Sequence, residues 1–486
     1  MKKRSLWVSA AGALALAIAL AGCGTTTYFA GRVLPPSGLP NRVVIAIQNP
    51  SSFTKGALEI VDAFYDIRYA YNNINKTFSV SGYSGALPIT IQNMPEEQFG
   101  AVYGYGDGSY VLINYQKESS GTSYTTSQLN GPSSSIFISR NQAYVVAASQ
   151  QAHVLTVLDS AAGASFALSL PGVYRVSMDP GGSFALAFVE NSNYVYYPVK
   201  LTASQTLAYS GGSGTWPKAA VDCEPQNGPR WCLFQAQSPD HVDATGTSWG
   251  APLTFDRPVK AIFSPDGGTA YVLNCGPECG GAVSSVVPLP VAPMIFLPGQ
   301  RSGKLPTQAA ITSSRILTPG GASNALLASS TLYVVGQQLQ QSDGLFAGNL
   351  TVVNLSNNTA ASPTPISDGE PGAMSRMALA DDNTLWIGMT KCNNGYRAAN
   401  GLAYGCLTMY NTSSNTVTAI EPYLGDATGI ADVQGLHKVY VAEGGQIYIY
   451  STQDGSSINN QYVTVTGTAS DVAYMDATTD GDNTVY

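Results

Sequence analysis

Seven cysteines and three histidines carry most of the chemistry open to this 486-residue chain. Six of the cysteines fall in local pairs: Cys223 with Cys232, Cys275 with Cys279, and Cys392 with Cys406. Thiols at such spacings can do two things. They can form a disulfide framework, which an even number in an exported chain favours. They can instead bind zinc as thiolates, and Cys275-Gly276-Pro277-Glu278-Cys279 has roughly that ligand spacing. No second close pair or nearby histidine completes a four-ligand site, however. Six cysteines permit fifteen connectivities. Proximity along the chain favours the local one, so three local disulfides are expected.

The histidines read less well as a centre. His153 follows Gln150-Gln151-Ala152 in a connecting loop, His241 follows the turn Pro239-Asp240, and His437 opens a strand beside Lys438. Repeats could carry three histidines to one axis and build a metal site, but these positions are not equivalent, and isolated histidines are expected. Asp381-Asp382-Asn383 and Asp480-Gly481-Asp482-Asn483 resemble calcium-binding oxygen clusters. Neither continues into an EF-hand spacing, and both sit where a hairpin needs Asp, Asn or Gly anyway. Glu96-Glu97 is an acidic pair that an exposed loop explains. The chain contains no GxSxG, HExxH, P-loop or dinucleotide fingerprint. The expectation is therefore no catalytic residue, no metal and no cofactor.

Tyrosine clusters at Tyr65, Tyr69 and Tyr71, at Tyr103, Tyr105, Tyr110 and Tyr115, and at Tyr194, Tyr196 and Tyr197. Aromatics with polar tips suit carbohydrate stacking or protein recognition. In strands they fill the space between sheets equally well, and packing is the expectation.

The N-terminus is an address. Lys2, Lys3 and Arg4 precede an apolar run from Leu6 to Leu20 that is short for a bilayer span and has signal-peptide flanks. The run closes on Leu20-Ala21-Gly22-Cys23, which resembles a bacterial lipobox. That resemblance implies a signal peptide over 1–22, cleavage before Cys23, acylation of its thiol and usually of the new amine, and a lipidated tether over 23–41. Two or three acyl chains hold a protein on a membrane well. Gly24 stands where an aspartate usually means inner-membrane retention, so in a Gram-negative cell the outer membrane is favoured. The expected place is the cell envelope, outside the cytoplasm.

What positions these residues is a β-repeat. Charged residues are only 11% of the chain, against about 25% in an average soluble protein. Hydrophobic residues are 44%, with 50 Gly and 28 Tyr. Net charge is −8, with no basic footprint for nucleic acid. In the stretch from Ala261 to Leu289, an apolar strand ends at Phe263. The turn Ser264-Pro265-Asp266-Gly267-Gly268 follows, then strands at Thr269–Leu273 and Val283–Leu289. The same phrase recurs every 38 to 56 residues, and sustained four-stranded repeats of about 40–50 residues are the signature of propeller blades. Turns at Gly106-Asp107-Gly108, Asp179-Pro180-Gly181-Gly182 and Gln434-Gly435 mark other units. No amphipathic helix is expected after the signal.

The phrase Ser264-Pro265-Asp266-Gly267 with Ala270-Tyr271-Val272 resembles the YVTN-type propeller repeats of bacterial surface and secreted proteins. Ala143-Tyr144-Val145-Val146, Leu332-Tyr333-Val334-Val335 and Val439-Tyr440-Val441-Ala442 resemble its second strand. The expected fold is all-β, a single β-propeller domain over 42–486. Nine units can be counted, Lys218–Phe255 the least regular; eight blades are expected, with seven or nine open and two stacked sandwiches the competing architecture. The ring should close with strands from both termini. Asp471–Tyr486 reads as a first strand and part of a second, and Arg42–Phe64 as the later strands.

Two functions fit. The first is a non-catalytic, lipid-anchored propeller that binds or scaffolds a protein or glycan at the envelope. The second is an extracytoplasmic propeller enzyme of lactonase, lyase or quinoprotein kind, its site at the central channel. Charged residues converging at one mouth of the channel are what separates them. A small, apolar lining favours binding.

Overall fold

The computed structural model describes residues 35–67, 79–94, 98–202, 220–224, 230–238, 250–295, 305–341, 344–367, 374–390, 406–420, 424–458 and 463–477. Strand order resolves these residues into eight antiparallel sheets. In each, one innermost strand leads outward through hairpins. The innermost strands, in chain order, are Pro88–Met94, Ser135–Ile138, Val173–Met178, Pro258–Phe263, Asn324–Ala328, Met374–Ala380, Ala427–Val433 and Thr468–Tyr474. We number the blades 1 to 8 by them.

The core shows that the blades form a ring. Buried apolar residues divide into eight clusters, and each cluster lies between two neighbouring blades. One cluster joins blades 8 and 1, through Val44, Ala46 and Ala473 against Ile91, Val102 and Val111. Eight seams among eight sheets make a closed β-propeller. The physical cause is strand alternation: both faces of each sheet meet a neighbour, so strands such as Val439–Ala442 are buried on both sides.

Closure uses both ends of the described chain. Arg42–Gln48 pairs antiparallel with Thr468–Tyr474, and Gly56–Asp62 pairs outside it. The C-terminal segment therefore supplies the first strand, and Arg42–Gln48 is the second. The sequence had assigned part of that second strand to Asn483–Tyr486, which lies outside the described residues. Lys218–Phe255 is not a blade of its own. Its strands Ala220–Glu224 and Arg230–Gln235 extend blade 3, where Arg230–Gln235 pairs with Val195–Leu201. This removes the ninth unit. A seven-residue helix, Gln308–Ser314, also departs from expectation; Thr307 caps it by accepting a hydrogen bond from Ala310 N, and Ile311 is its buried residue.

Two of the expected disulfides are formed. Cys223 and Cys232 face each other across paired strands, with Cα atoms 4.1 Å apart. Cys275 and Cys279 close a short loop, with Cα atoms 5.6 Å apart. Glu278 in that loop accepts a hydrogen bond from Gln337 N at 2.9 Å, tying blade 4 to blade 5. Cys406 is disulfide-bonded, and Cys392 lies outside the described residues. Each closed loop is short, so in the chain-entropy account the Cys223→Ala/Cys232→Ala protein should lose only about 2–3 kcal/mol. Chemical unfolding with and without reductant checks this. A loss above about 5 kcal/mol would mean that the bridge holds blade 3 in the ring rather than shortening one loop.

Candidate functional site

The channel is built from the eight innermost strands, and a shared irregularity shapes it. In six of these strands one extra residue bulges near the start, at Ile89, Tyr174, Val259, Ser375, Thr428 and Ser470. In the other two, paired backbone contacts do the same: Ser134 N and Ser323 N reach the carbonyls of Ala148 and Val335. Such bulges re-aim the side chain that follows. The residues that follow, from blade 1 to blade 8, are Thr90, Ser135, Arg175, Lys260, Asn324, Arg376, Gly429 and Asp471. The ring thus holds three basic side chains and one carboxyl group in a chain otherwise poor in charge.

These residues are tied to one another. Lys260 Nζ donates to Asn324 Oδ1 at 2.8 Å. Asp471 accepts from Ile91 N at 2.7 Å and Val472 N at 2.9 Å. Arg376 donates from one terminal guanidinium nitrogen to Thr90 Oγ1 at 3.2 Å and lies 3.6 Å from Asp471 Oδ2. It thereby reaches from blade 6 to blades 8 and 1. Gly429 of blade 7 permits this, because a Cβ there would sit 2.7 Å from the Asp471 Cα. Arg175 lies over the Tyr174 ring at 5.4 Å and makes long contacts of 3.5 Å to the Val259 and Ser323 carbonyls.

Electrostatics follow from burial. Burial first, then the Arg175 and Arg376 charges, pushes the Lys260 ammonium well below the usual lysine range. Burial raises the Asp471 carboxyl, opposed by Arg376 and by the two backbone donors. At the end of the channel where the innermost strands begin lies an open depression of about 520 Å³. Arg376, Ile89, Thr428, Ser470, Gln48 and Asp426 line it. We call this end the mouth.

The residues singled out from sequence do not meet here. His153 lies on a hairpin at the mouth face of blade 2, and His437 on a turn at the opposite face of blade 7, where its Nδ1 is 2.9 Å from Asp382 Oδ2. His241 lies outside the described residues. Asp381 accepts from Gly435 N and His437 N, and Asp382 from Thr452 Oγ1, so the acidic turn fastens blade 6 to blade 7. Asp480–Asn483 and Glu96-Glu97 lie outside the described residues. Among the described residues no His, Cys, Asp and Glu group could hold a metal ion. Tyr103, Tyr110, Tyr115 and Tyr197 are buried, as packing predicts; Tyr69 and Tyr71 lie outside the described residues. Tyr65, Tyr105 and Tyr194 are exposed.

Sequence reasoning missed Arg175, Lys260, Arg376 and Asp471. A signal was present. Each is a lone charge inside an apolar innermost strand, as in Val173-Tyr-Arg-Val176 and Pro258-Val-Lys-Ala261. Aligning the strands by blade rather than reading motifs would have found them.

No family model matches the chain, and no curated protein does. Solved structures are similar in fold. Dihydro-heme d1 dehydrogenase NirN is 12% identical, with a TM-score of 0.50, covering 92% of this chain and 79% of that one. AztD from Citrobacter koseri is 10% identical, with a TM-score of 0.46, covering 89% and 97%. A 6-phosphogluconolactonase-type propeller from Bacteroides fragilis is 10% identical, with a TM-score of 0.41, covering 89% and 97%. At these identities the likeness is one of fold: the chain is an eight-bladed β-propeller, and its chemistry rests on its own residues.

Proposed function

We propose that this chain is a lipid-anchored propeller of the cell envelope that acts by non-catalytic binding of a protein partner on its mouth face. One observation carries the reading. Among the described residues, six of the ten large apolar side chains that are exposed, Phe53, Ile89, Tyr105, Tyr194, Leu339 and Leu345, belong to hairpins or strand starts on that face, while Val221 and Leu317 lie in outer strands of blades 3 and 4. Phe53, Ile89 and Tyr105 sit in adjoining loops of blades 8 and 1, linked by backbone hydrogen bonds from Leu87 to Lys55 and from Tyr105 to Leu87. The opposite face has Phe64 and Tyr65. Exposed apolar groups gathered on one face of a low-charge protein suit association.

The anchor fits this direction. Ser37 donates from N and Oγ to the Glu118 carboxylate at 2.8 and 2.6 Å, and Leu39 is buried between blades 8 and 1. Glu118 belongs to a turn on the face opposite the mouth. The first described residues therefore join the propeller on the face opposite the mouth, where a tether from Cys23 would attach. The two disulfides agree with an extracytoplasmic address.

Site-specific photo-crosslinking in cells tests the reading. A crosslinker at Phe53 or Tyr105 should give a discrete protein adduct that a crosslinker at Phe64 does not, and Cys23→Ala should release the protein from membranes and lose the adduct. Equal adducts from both faces, or a Cys23→Ala protein that stays with membranes, would overturn it. Protease-resistant adducts degraded by glycosidase would move the reading to a glycan. The channel enzyme is the second reading, favoured by the charged ring. Against it, Asp471 is already engaged by two backbone amides and Arg376, which suits positioning better than proton transfer.

A further inference from the structure

Away from the channel, a second pocket lies at the seam between blades 3 and 4. The helix Gln308–Ser314 forms one wall of it, the start of blade 4 another, and its volume is about 590 Å³. We propose that this pocket binds a small organic carboxylate, with Arg315 and Arg257 as its ion partners and the Ser285 hydroxyl as a donor at its floor. The fold positions all three. Arg257 precedes the innermost strand of blade 4 and takes a φ of 59°, uncommon for a residue with a side chain. Its backbone is fixed from both blades. Phe255 N and Arg257 N donate to the carbonyl and Oδ1 of Asn193 at 2.8 and 3.3 Å, and Cys275 N donates to the Arg257 carbonyl at 2.9 Å. Gly281 packs against its stem, where a Cβ would sit 2.8 Å from Arg257 Cγ. Arg315 is the residue that ends the helix. Ser285 opens the third strand of blade 4, paired with Asn274 on one side and Leu317 on the other.

The donors of this pocket are unspent. Among the described residues Arg315 has no hydrogen-bond or ion-pair partner. Arg257 donates from one terminal nitrogen to the Asn191 carbonyl, and its other guanidinium nitrogens have no partner among the described residues. Ser285 is 1% exposed. Its Oγ accepts from Asn274 Nδ2 at 3.1 Å, and that amide is held this way round because Asn274 Oδ1 accepts from Asp256 N at 3.4 Å. The Ser285 proton is therefore left without an acceptor among the described residues, in the wall of the pocket. A buried hydroxyl in that position calls for an acceptor. Asp256 is the carboxylate of the lining, and both its oxygens already accept from backbone amides, Ala282 N at 2.9 and 3.1 Å and Val283 N at 2.6 Å. The lining thus sets two guanidinium groups against one carboxylate. That surplus suits a single negative charge in the planar form a guanidinium pairs with best. A doubly charged phosphate would leave excess negative charge beside Asp256. Phe255, Val287 and Ile311 offer an apolar seat for the body of the ligand, and the volume is that of a small-molecule site.

The test is calorimetry on the full chain, purified in detergent at low chloride. Lactate and benzoate are the probes, lactamide and benzamide their uncharged isosteres, and inorganic phosphate the competing anion. Saturable binding of at least one carboxylate and not of its amide is expected, weakening as chloride rises. Arg315→Gln should weaken it about tenfold or more, since it removes a charge-assisted bond. Ser285→Ala should weaken it several-fold, while His437→Gln on the opposite face should leave it unchanged. Arg315 has no partner to strand, so its variant should melt like the parent, and thermal unfolding of each variant checks that it is folded. No saturable heat with either carboxylate in the parent protein would overturn the proposal. Equal binding of a carboxylate and its amide, or tighter binding of phosphate than of both carboxylates, would also overturn it. So would parental affinity in the folded Arg315→Gln protein.

Discussion

Replacing Arg42 by alanine should lower stability by about 3–5 kcal/mol and abolish folding in combination with any second seam defect. Arg42 is the first residue of the strand that pairs with the C-terminal one, and its side chain is 4% exposed. It donates from Nε and a terminal nitrogen to the Asp476 carboxylate at 3.0 and 2.6 Å, and from its other terminal nitrogen to Glu118 at 2.9 Å and to the Tyr115 carbonyl at 2.7 Å. Its backbone N also donates to Asp476, at 2.8 Å. One guanidinium thus joins the two ends of the described chain to blade 1. Burial opposes its charge, but the bonds to Asp476 and then Glu118 hold it above the usual arginine range.

Removing that side chain strands two carboxylates, 2% and 6% exposed, without their cation. That penalty exceeds the value of the pair itself, so Arg42→Met with Asp476→Leu should cost less than Arg42→Ala alone. Guanidinium denaturation of the parent, the single and the double variant measures this. A loss below about 1 kcal/mol in Arg42→Ala would show that the ring closes without the clamp. Deleting 468–486 or 42–62 is the stronger form: the remaining seven blades would expose two sheet edges, and loss of cooperative unfolding is expected. A truncated chain that melts like the parent would refute closure by shared strands.

Trp386→Ala should cost about 3–5 kcal/mol. Trp386 is fully buried in the cluster between blades 6 and 7, stacked on Tyr450 with ring centroids 5.8 Å apart and planes at 29°. Its Nε1 donates to Thr384 Oγ1 at 3.1 Å. Truncation leaves a large void in one seam and removes the stacked partner of a buried tyrosine. The eight seams are linked in series around a closed ring, so opening one relieves the constraint on the others. A single cooperative transition at lower denaturant is therefore expected, followed by tryptophan fluorescence and circular dichroism together. Separate transitions by the two probes would mean that blades 6 and 7 unfold alone. A loss near 1 kcal/mol would mean that the seam collapses around the void.

The legible part of this protein was whatever repeats locally. Hairpin turns such as Ser264-Pro265-Asp266-Gly267-Gly268 need proline and glycine wherever they stand, and Gly267 indeed takes a φ of 69°. Strands such as Arg42–Gln48 and Thr269–Asn274 announce themselves by apolar and β-branched residues. Local cysteine pairs work in the same way, because Cys223 and Cys232 are already near each other in a hairpin. Eight repeats then follow from counting, apart from Lys218–Phe255, whose strands look like a unit and belong to blade 3. Nothing local distinguishes a fourth and fifth strand from a new blade; the pairing of Arg230–Gln235 with Val195–Leu201 does.

The site was decided by tertiary structure. Arg175, Lys260, Arg376 and Asp471 are separated by tens to hundreds of positions and share no motif, and each by itself reads as a stray charge in a strand. Their common feature is a place after the bulge of an innermost strand, and that place becomes an axis only when eight sheets close. The same holds for the Arg42–Asp476–Glu118 clamp, in which Arg42 and Asp476 lie at opposite ends of the described chain and Glu118 belongs to blade 1. Periodicity and turn chemistry act over a few residues and are written along the chain. Convergence on a channel depends on ring closure and blade phase, so it exists only once the last strand has paired with the first.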